Sequence, residues 1–142
     1  MRFPMLVTFA LIAGCIDDGI PPYLDDPVGT YQLALSWTTG TCVTSGPTAG
    51  LTFMVKAKSG DGYPVSSGPG FGFARLQEVA GEPTLSVSLG ISDPSTGFAM
   101  YAIALIADTT PTYAGSGTLE ATAPDDSTCS HGFEVIQVKH TR

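Results

Sequence analysis

The sequence predicts an all-β fold, a single antiparallel meander or barrel of seven or eight strands. Three observations support this prediction. Apolar and polar residues alternate with a period of two in several runs, as in strands with one buried face. Stretches rich in Gly, Pro and Ser separate these runs. No window of a dozen residues shows the periodicity of an amphipathic helix. A two-sheet β-sandwich is the alternative architecture.

Four runs have clear alternation. Large apolar residues occupy every second position over 31–37, 51–57 and 85–91, and a fourth run extends over 113–123. Apart from Met54, the intervening residues are small or polar, so one face is expected to be buried and the other to meet solvent. The short segment 63–66 is a possible eighth strand.

Three further runs depart from strict alternation. Residues 71–79 form a weaker strand whose alternation fails at Arg75-Leu76. Residues 98–106 are apolar on both faces, which indicates either a central strand or a bulged one. The last run, 133–138, changes phase at Val135-Ile136, as a β-bulge would produce.

The N-terminus reads as a secretory signal. Arg2 is followed by an apolar stretch over 3–12 that is shorter than the roughly 20 residues needed to span a bilayer. The run Leu11-Ile12-Ala13-Gly14-Cys15 that closes it resembles the lipobox of bacterial lipoproteins. An ordinary cleaved signal peptide is the main alternative, and a buried core segment is another.

The resemblance implies a specific processing of the chain. Residues 1–14 would be removed as the signal peptide, and Cys15 would carry diacylglycerol on its thiol and an acyl chain such as palmitate on its amine. Two or three acyl chains give a stable membrane anchor. Residues 15–28, acidic and rich in proline, are then expected to form a tether to a single β-domain at 29–142. Because Ile16 rather than Asp follows the lipidated cysteine, the outer membrane is the expected location.

Lipidation of Cys15 would leave Cys42 and Cys129 as a pair in an oxidising compartment, where a disulfide is expected. Cys42 follows the first strand and Cys129 precedes the last. A bond between them would join the first and last strands at one edge and staple the closure of a barrel. Two free thiols and a two-ligand metal site are the alternatives.

A second resemblance concerns the start of the β-domain. Gly29-Thr30-Tyr31 resembles the Gly-x-Trp start of lipocalins and related calycin barrels, with Tyr31 in place of the tryptophan. That resemblance implies a barrel whose interior holds a small hydrophobic ligand. A pocket of about 300 Å³ or more is then expected, lined by residues such as Leu35, Phe53, Val87 and Ile103.

The charge of the chain restricts its partners. Five basic residues remain after Arg2 leaves with the signal, against thirteen acidic ones, so the mature net charge is −8. Such a protein repels phosphate groups, which excludes nucleic acid as a partner.

Two residues are candidates for ligand binding. His131 follows two acids and several hydroxyl side chains within 125–130, which indicates a metal or acid–base cluster or, alternatively, a polar turn. Arg75 would face the interior and hold a carboxylate ligand if Phe71 and Phe73 also face inward. A slip in register at Leu76 would instead place Arg75 in solvent.

The sequence predicts no enzymatic activity, because it offers no nucleophile–base pair and no complete metal site; no cofactor is expected. Two functions remain. One is a non-enzymatic interaction, structural or assembly module, held on the membrane by Cys15 and contacting an unidentified envelope protein. The other is a carrier of a small hydrophobic ligand. His140, near the end of the chain, is expected to be solvated.

Overall fold

The computed structural model describes residues 22–44, 46–106 and 114–142. Eight antiparallel strands form one sheet that closes on itself, and each strand pairs with the next along the chain. The strands are β1 (Gly29–Gly40), β2 (Thr48–Val55), β3 (Tyr63–Ser67), β4 (Gly70–Val79), β5 (Glu82–Asp93), β6 (Gly97–Ile106), β7 (Gly115–Thr122) and β8 (Thr128–Thr141). The predicted single antiparallel barrel is confirmed and the sandwich alternative is wrong. The possible eighth strand exists as β3.

The up-and-down order gives the barrel two distinct ends. The loops after β1, β3, β5 and β7 lie at one end, which we call the disulfide end. The loops after β2 and β4 lie at the other, where β6 also ends, together with a 3₁₀ turn at Pro22–Leu24 and Arg142. We call this the N-terminal end. The lipobox at residues 11–15 and the predicted strand start at Tyr113 lie outside the described residues.

The core lies inside the barrel, where alternate side chains of each strand meet. In β1, Tyr31, Leu33 and Leu35 are buried, as the alternation predicts. The interior is completed by apolar side chains of the other strands, of which the largest fully buried ones are Phe53, Phe133, Leu85, Leu89, Leu105, Val55, Val87 and Val135. Each strand therefore needs only one apolar face, which explains the period of two.

Pairing of β1 with β8 completes the barrel. The register along this pair shifts between Ala34 and Leu35, where β8 carries Ile136 as an extra residue. The predicted β-bulge at Val135-Ile136 is therefore confirmed. A second shift lies between Trp37 and Gly40. At Gly40 a Cβ atom would lie 2.4 Å from the Cα of His131, so the two backbones approach too closely there for any side chain.

A disulfide joins Cys42 to Cys129, across 87 positions of the sequence, at the disulfide end of this pair. The predicted bridge is confirmed, although Cys129 lies within β8 rather than before it. Two hydrogen bonds flank the bridge: the Thr41 amide donates to the Ser130 carbonyl at 2.8 Å, and the Ser130 amide donates to Thr41 Oγ1 at 3.0 Å. Covalent and hydrogen bonds thus hold the first and last strands together.

Two strands differ from their prediction. In β4 the register is continuous: Gly70, Gly72, Ala74 and Leu76 lie on the inner face, and the alternate residues Phe71, Phe73 and Arg75 face solvent. The strand at 98–106, predicted to be central or bulged, is regular on both sides and exposes its second apolar face on the outside of the barrel. Both findings place apolar residues on the outer surface.

The chain before β1 packs onto the N-terminal end of the barrel. Tyr23 and Leu24, which the sequence analysis assigns to the tether, are buried. The Tyr31 hydroxyl donates a hydrogen bond to the Pro27 carbonyl at 2.6 Å. His140 stacks on Tyr31 with ring centroids 4.5 Å apart, and its Nε2 lies 2.9 Å from the Val28 carbonyl. The expectation that His140 is solvated is wrong, because it bridges β8 to this segment.

We predict that replacing both Cys42 and Cys129 by serine lowers the free energy of unfolding by about 2–4 kcal/mol, because the unfolded chain regains the entropy that the long closed loop removes. Urea denaturation measures the change. Val43→Ser is the matched control, since Val43 is fully exposed beside the bridge. Its stability should stay within about 0.5 kcal/mol of the wild type. Equal stability of the double variant and the wild type would contradict the role given to the bridge.

A second prediction concerns alkaline pH. Burial, reinforced by Tyr23 and Asp26, raises the pKa of Tyr31 well above its ordinary value. The folded protein therefore keeps a proton that the unfolded chain releases above about pH 10, so stability is full below that pH and falls as the pH rises further.

Tyr31→Phe removes the titrating group and the donor to Pro27. We expect it to be less stable than the wild type by about 1–2 kcal/mol at pH 8, because the buried carbonyl loses its partner. Between pH 10 and pH 11.5 its stability should decline less steeply than that of the wild type. Urea midpoints across this range measure both slopes, and parallel slopes would refute the assignment.

Candidate functional site

The structure separates the residues predicted to form a cluster near His131. His131 faces the interior at the disulfide end, where its ring meets the edge of Trp37 at a centroid distance of 5.4 Å. Its Nδ1 is buried and has no hydrogen-bond partner within the described part of the chain. Asp125 lies in the exposed turn between β7 and β8 and is bonded locally to Ser127. His131 therefore lies on the inner face of the barrel. The alternative prediction of a polar turn holds for Asp125.

The turn at Asp125 has a counterpart in the neighbouring hairpin. Asp93 accepts hydrogen bonds from the hydroxyl and the amide of Ser95 at 2.7 and 2.8 Å, and Asp125 accepts the same pair from Ser127 at 2.6 and 3.0 Å. These bonds lower the pKa of both carboxyl groups. Each aspartate therefore closes its own turn. No group of three or more metal-ligating side chains occurs in residues 22–44, 46–106 and 114–142.

Arg75 lies on the outer face of β4 and is exposed. The inward placement of Phe71 and Phe73, on which its proposed role as an interior ligand depended, is wrong. A slip at Leu76 is not needed to expose it, since the whole strand has the opposite orientation. At Gly72 a Cβ atom would lie 1.8 Å from the Ser88 carbonyl oxygen of β5, so the backbones of the two strands approach too closely there for any side chain.

The interior is filled around the residues expected to line a ligand pocket. Leu35, Phe53, Val87 and Ile103 are only 1–3% exposed. Side chains that line a cavity of about 300 Å³ would keep part of their surface exposed inside it. Their near-complete burial therefore indicates close packing of side chains at these positions.

The outer surface carries a continuous group of exposed apolar side chains. We call it the outer apolar patch, defined by Met54, Phe71, Phe73, Phe98 and Met100, which are 40–75% exposed. Three of them lie in one row across the sheet, in which Met54 pairs with Ser66, Ser66 with Phe71, Phe71 with Gly90, and Gly90 with Met100. Phe73 and Phe98 lie in the adjoining rows. The patch thus crosses the flank of the barrel from β2 to β6.

Part of the patch has a structural role. The ring of Phe98 covers Gly90, where a Cβ atom would lie 3.0 Å from its Cζ, and the ring of Phe73 covers Gly62 in the same way. Phe71 differs because it is 75% exposed, the largest exposure in the patch. An aromatic side chain in that position buries little of its apolar surface when the domain folds. Exposed apolar groups of this kind mark interaction surfaces.

Charge is distributed unevenly between the ends of the barrel. Lys56 and Lys58 follow β2 at the N-terminal end, where Arg142 also pairs with Asp26 at 3.0 Å. The described residues of the loops at the disulfide end contain acidic side chains but no basic one. The barrel is therefore acidic at one end and mixed in charge at the other.

The chain matches no protein-family model, no curated protein and no solved structure. Among the described residues, no helix is long and apolar enough to cross a membrane. The residues that sequence reasoning missed are those of the outer apolar patch. The sequence does contain one indication of the patch: residues 98–106 are apolar on both faces, and a strand of a closed barrel can bury only one.

Proposed function

We propose that this protein is a lipid-anchored envelope protein whose barrel is a non-enzymatic module that binds another protein. The outer apolar patch is the observation that carries the proposal. Phe71 protrudes at its centre, and its neighbours along the row are small or apolar. Burial of such side chains against a partner is favourable at about 25 cal/mol per Å².

The proposed anchor agrees with the position at which the chain enters the barrel. Cys15 precedes Pro22 by seven residues, a reach of about 25 Å when fully extended. The lipid would therefore hold the N-terminal end close to the bilayer and direct the acidic disulfide end away from it. Lys56 and Lys58 would lie on the membrane side together with the Arg142–Asp26 ion pair, so this end carries charges of both signs. The outer membrane is the proposed location.

Packing of the interior supports an interaction module over a ligand carrier. The four side chains expected to line a carrier pocket are instead buried members of one apolar core cluster. A hydrophobic ligand would have to displace these side chains, at a cost typical of core repacking.

The experiment places a photoreactive benzoylphenylalanine at position 71 or at position 118 of the full chain in the producing cell. Both positions are on the outer face, but Thr118 on β7 lies outside the patch. We expect a discrete cross-linked species at position 71 and none at 118, because only the patch meets the partner. Adducts of equal yield at both positions would contradict the proposal.

The anchor is tested in the same cells with Cys15→Ala. The wild type should be recovered with the membrane and carry acyl chains on Cys15 by mass spectrometry, and the variant should be recovered in the soluble fraction without the cross-link at position 71. Retention of Cys15→Ala on the membrane would refute lipid anchoring while leaving the binding test intact.

A further inference from the structure

The seam between β2 and β3 is the least complete in the barrel. β2 pairs with β1 from Thr48 to Val55, but it pairs with β3 only at Met54 and Val55. No strand of the described residues pairs with the remaining part of β2 on that side. The barrel is closed, but its wall has a notch at the disulfide end of β2.

The backbone of β2 directs hydrogen-bonding groups into this notch. The Trp37 amide donates to the Pro47 carbonyl at 2.9 Å, so the odd-numbered residues of β2 bond to β1. In an antiparallel strand the alternate residues point their N–H and C=O groups to the opposite side. Thr48, Gly50 and Thr52 therefore face the notch, and all three are exposed. Among the described residues, only the Ser67 hydroxyl reaches this edge, donating to the Thr52 carbonyl at 2.6 Å.

A cleft of about 290 Å³ lies beside the edge, between β2 and the end of β3. Met54 belongs both to its lining and to the outer apolar patch, so the two features are continuous. Of the edge-facing residues, Thr52 lines the cleft, and the apolar side chain of Met54 lies beside it.

We propose that this edge of β2 receives an extended strand of the partner protein. The inference rests on the proposed function and specifies how the partner binds. Only an extended backbone presents donors and acceptors at the spacing of Thr48, Gly50 and Thr52, which is the chemistry of strand addition. The added strand takes over the Thr52 carbonyl from the Ser67 hydroxyl.

Neighbouring side chains define the segment that fits. Inward-facing side chains of the added strand lie beside Leu51 and Phe53 and are expected to be apolar, whereas its outward-facing side chains lie beside threonine and glycine. Because the domain carries a large negative charge, an acidic segment is disfavoured. The partner segment is thus an uncharged or basic strand that alternates apolar with small polar residues.

The test uses the peptide acetyl-Thr-Val-Thr-Val-Thr-Val-Thr-amide and two analogues, one N-methylated on every valine and one on every threonine. Strand addition uses the amides of alternate residues only. We expect the parent peptide to shift the NMR signals of the Gly50 and Thr52 amides saturably. One analogue should bind at least about tenfold more weakly, and the other should bind like the parent, since each lost hydrogen bond costs roughly 1 kcal/mol.

Gly50 supplies a matched pair of variants. Gly50→Pro removes the edge-facing N–H and should weaken binding by about fivefold or more, while Gly50→Ala keeps it and should bind like the wild type. The nearest atom to a Cβ at Gly50 is the Leu33 carbonyl oxygen at 3.9 Å, so alanine fits. If Gly50→Pro fails to fold, the two N-methylated peptides decide the matter on the wild-type protein.

Three results would overturn strand addition. Equal binding of both N-methylated peptides would assign recognition to side chains on the outer apolar patch and leave the proposed function standing. Shifts at Gly50 that grow with protein concentration in the absence of peptide would make the occupant a second copy of this chain. Absence of any shift at millimolar peptide would remove the edge as a binding site. The cross-link at position 71 is measured independently of all three.

Discussion

The pairing of β1 with β8 is the interaction on which the rest of the structure depends. It joins the two ends of the sheet through most of their length and is locked by the Cys42–Cys129 bond. Without it the chain would be a meander with two free edges, and its inner face would meet water. The two register shifts along this pair show how the strands adjust, because an extra residue on either side bends the wall so that it can close. Gly40 allows the close approach that the second shift requires.

Closure also explains why apolar side chains appear on the outside. A closed barrel of eight strands has an interior just wide enough for side chains to fill, so only one face of each strand can be buried. β4 presents Gly70, Gly72 and Ala74 to the interior, and the phenylalanines of that strand face outward. β6 has apolar residues on both faces and buries one of them. The side chains of the outer apolar patch are the large apolar residues on the strand faces that closure leaves outside the barrel.

Much of the fold follows from local pattern. Spacing along the sequence predicts the strand count, the bulge at Val135-Ile136 and the bridge between Cys42 and Cys129, because a period of two marks each strand. The orientation of β4 does not follow from pattern, because pattern assigns the larger Phe71 and Phe73 to the core, whereas the inner face of this strand carries Gly70, Gly72 and Ala74. The role of His140 likewise depends on a tertiary contact with Tyr31 that its position near the chain end conceals. The lipobox remains a prediction, since it lies outside the described residues.

The notch in the wall and the patch beside it have a common origin. β3 has five residues, whereas β2 has eight, so the end of β2 near the disulfide keeps a free edge. Free edges invite pairing with another chain, and most strands of a barrel avoid this by closure. Here the short β3 leaves one edge available next to exposed apolar side chains. The proposed addition of a partner strand therefore depends on the notch being open in solution.

Amide hydrogen exchange in the free protein tests that claim most directly. The amides of Leu51 and Phe53 bond to β1 and should exchange at the slow rate of the barrel wall, whereas the amide of Gly50 faces the notch and should exchange faster by orders of magnitude. That alternation within one strand is the result the structure predicts. Slow exchange at Gly50, equal to that of Leu51, would mean that the edge is covered and would contradict the account.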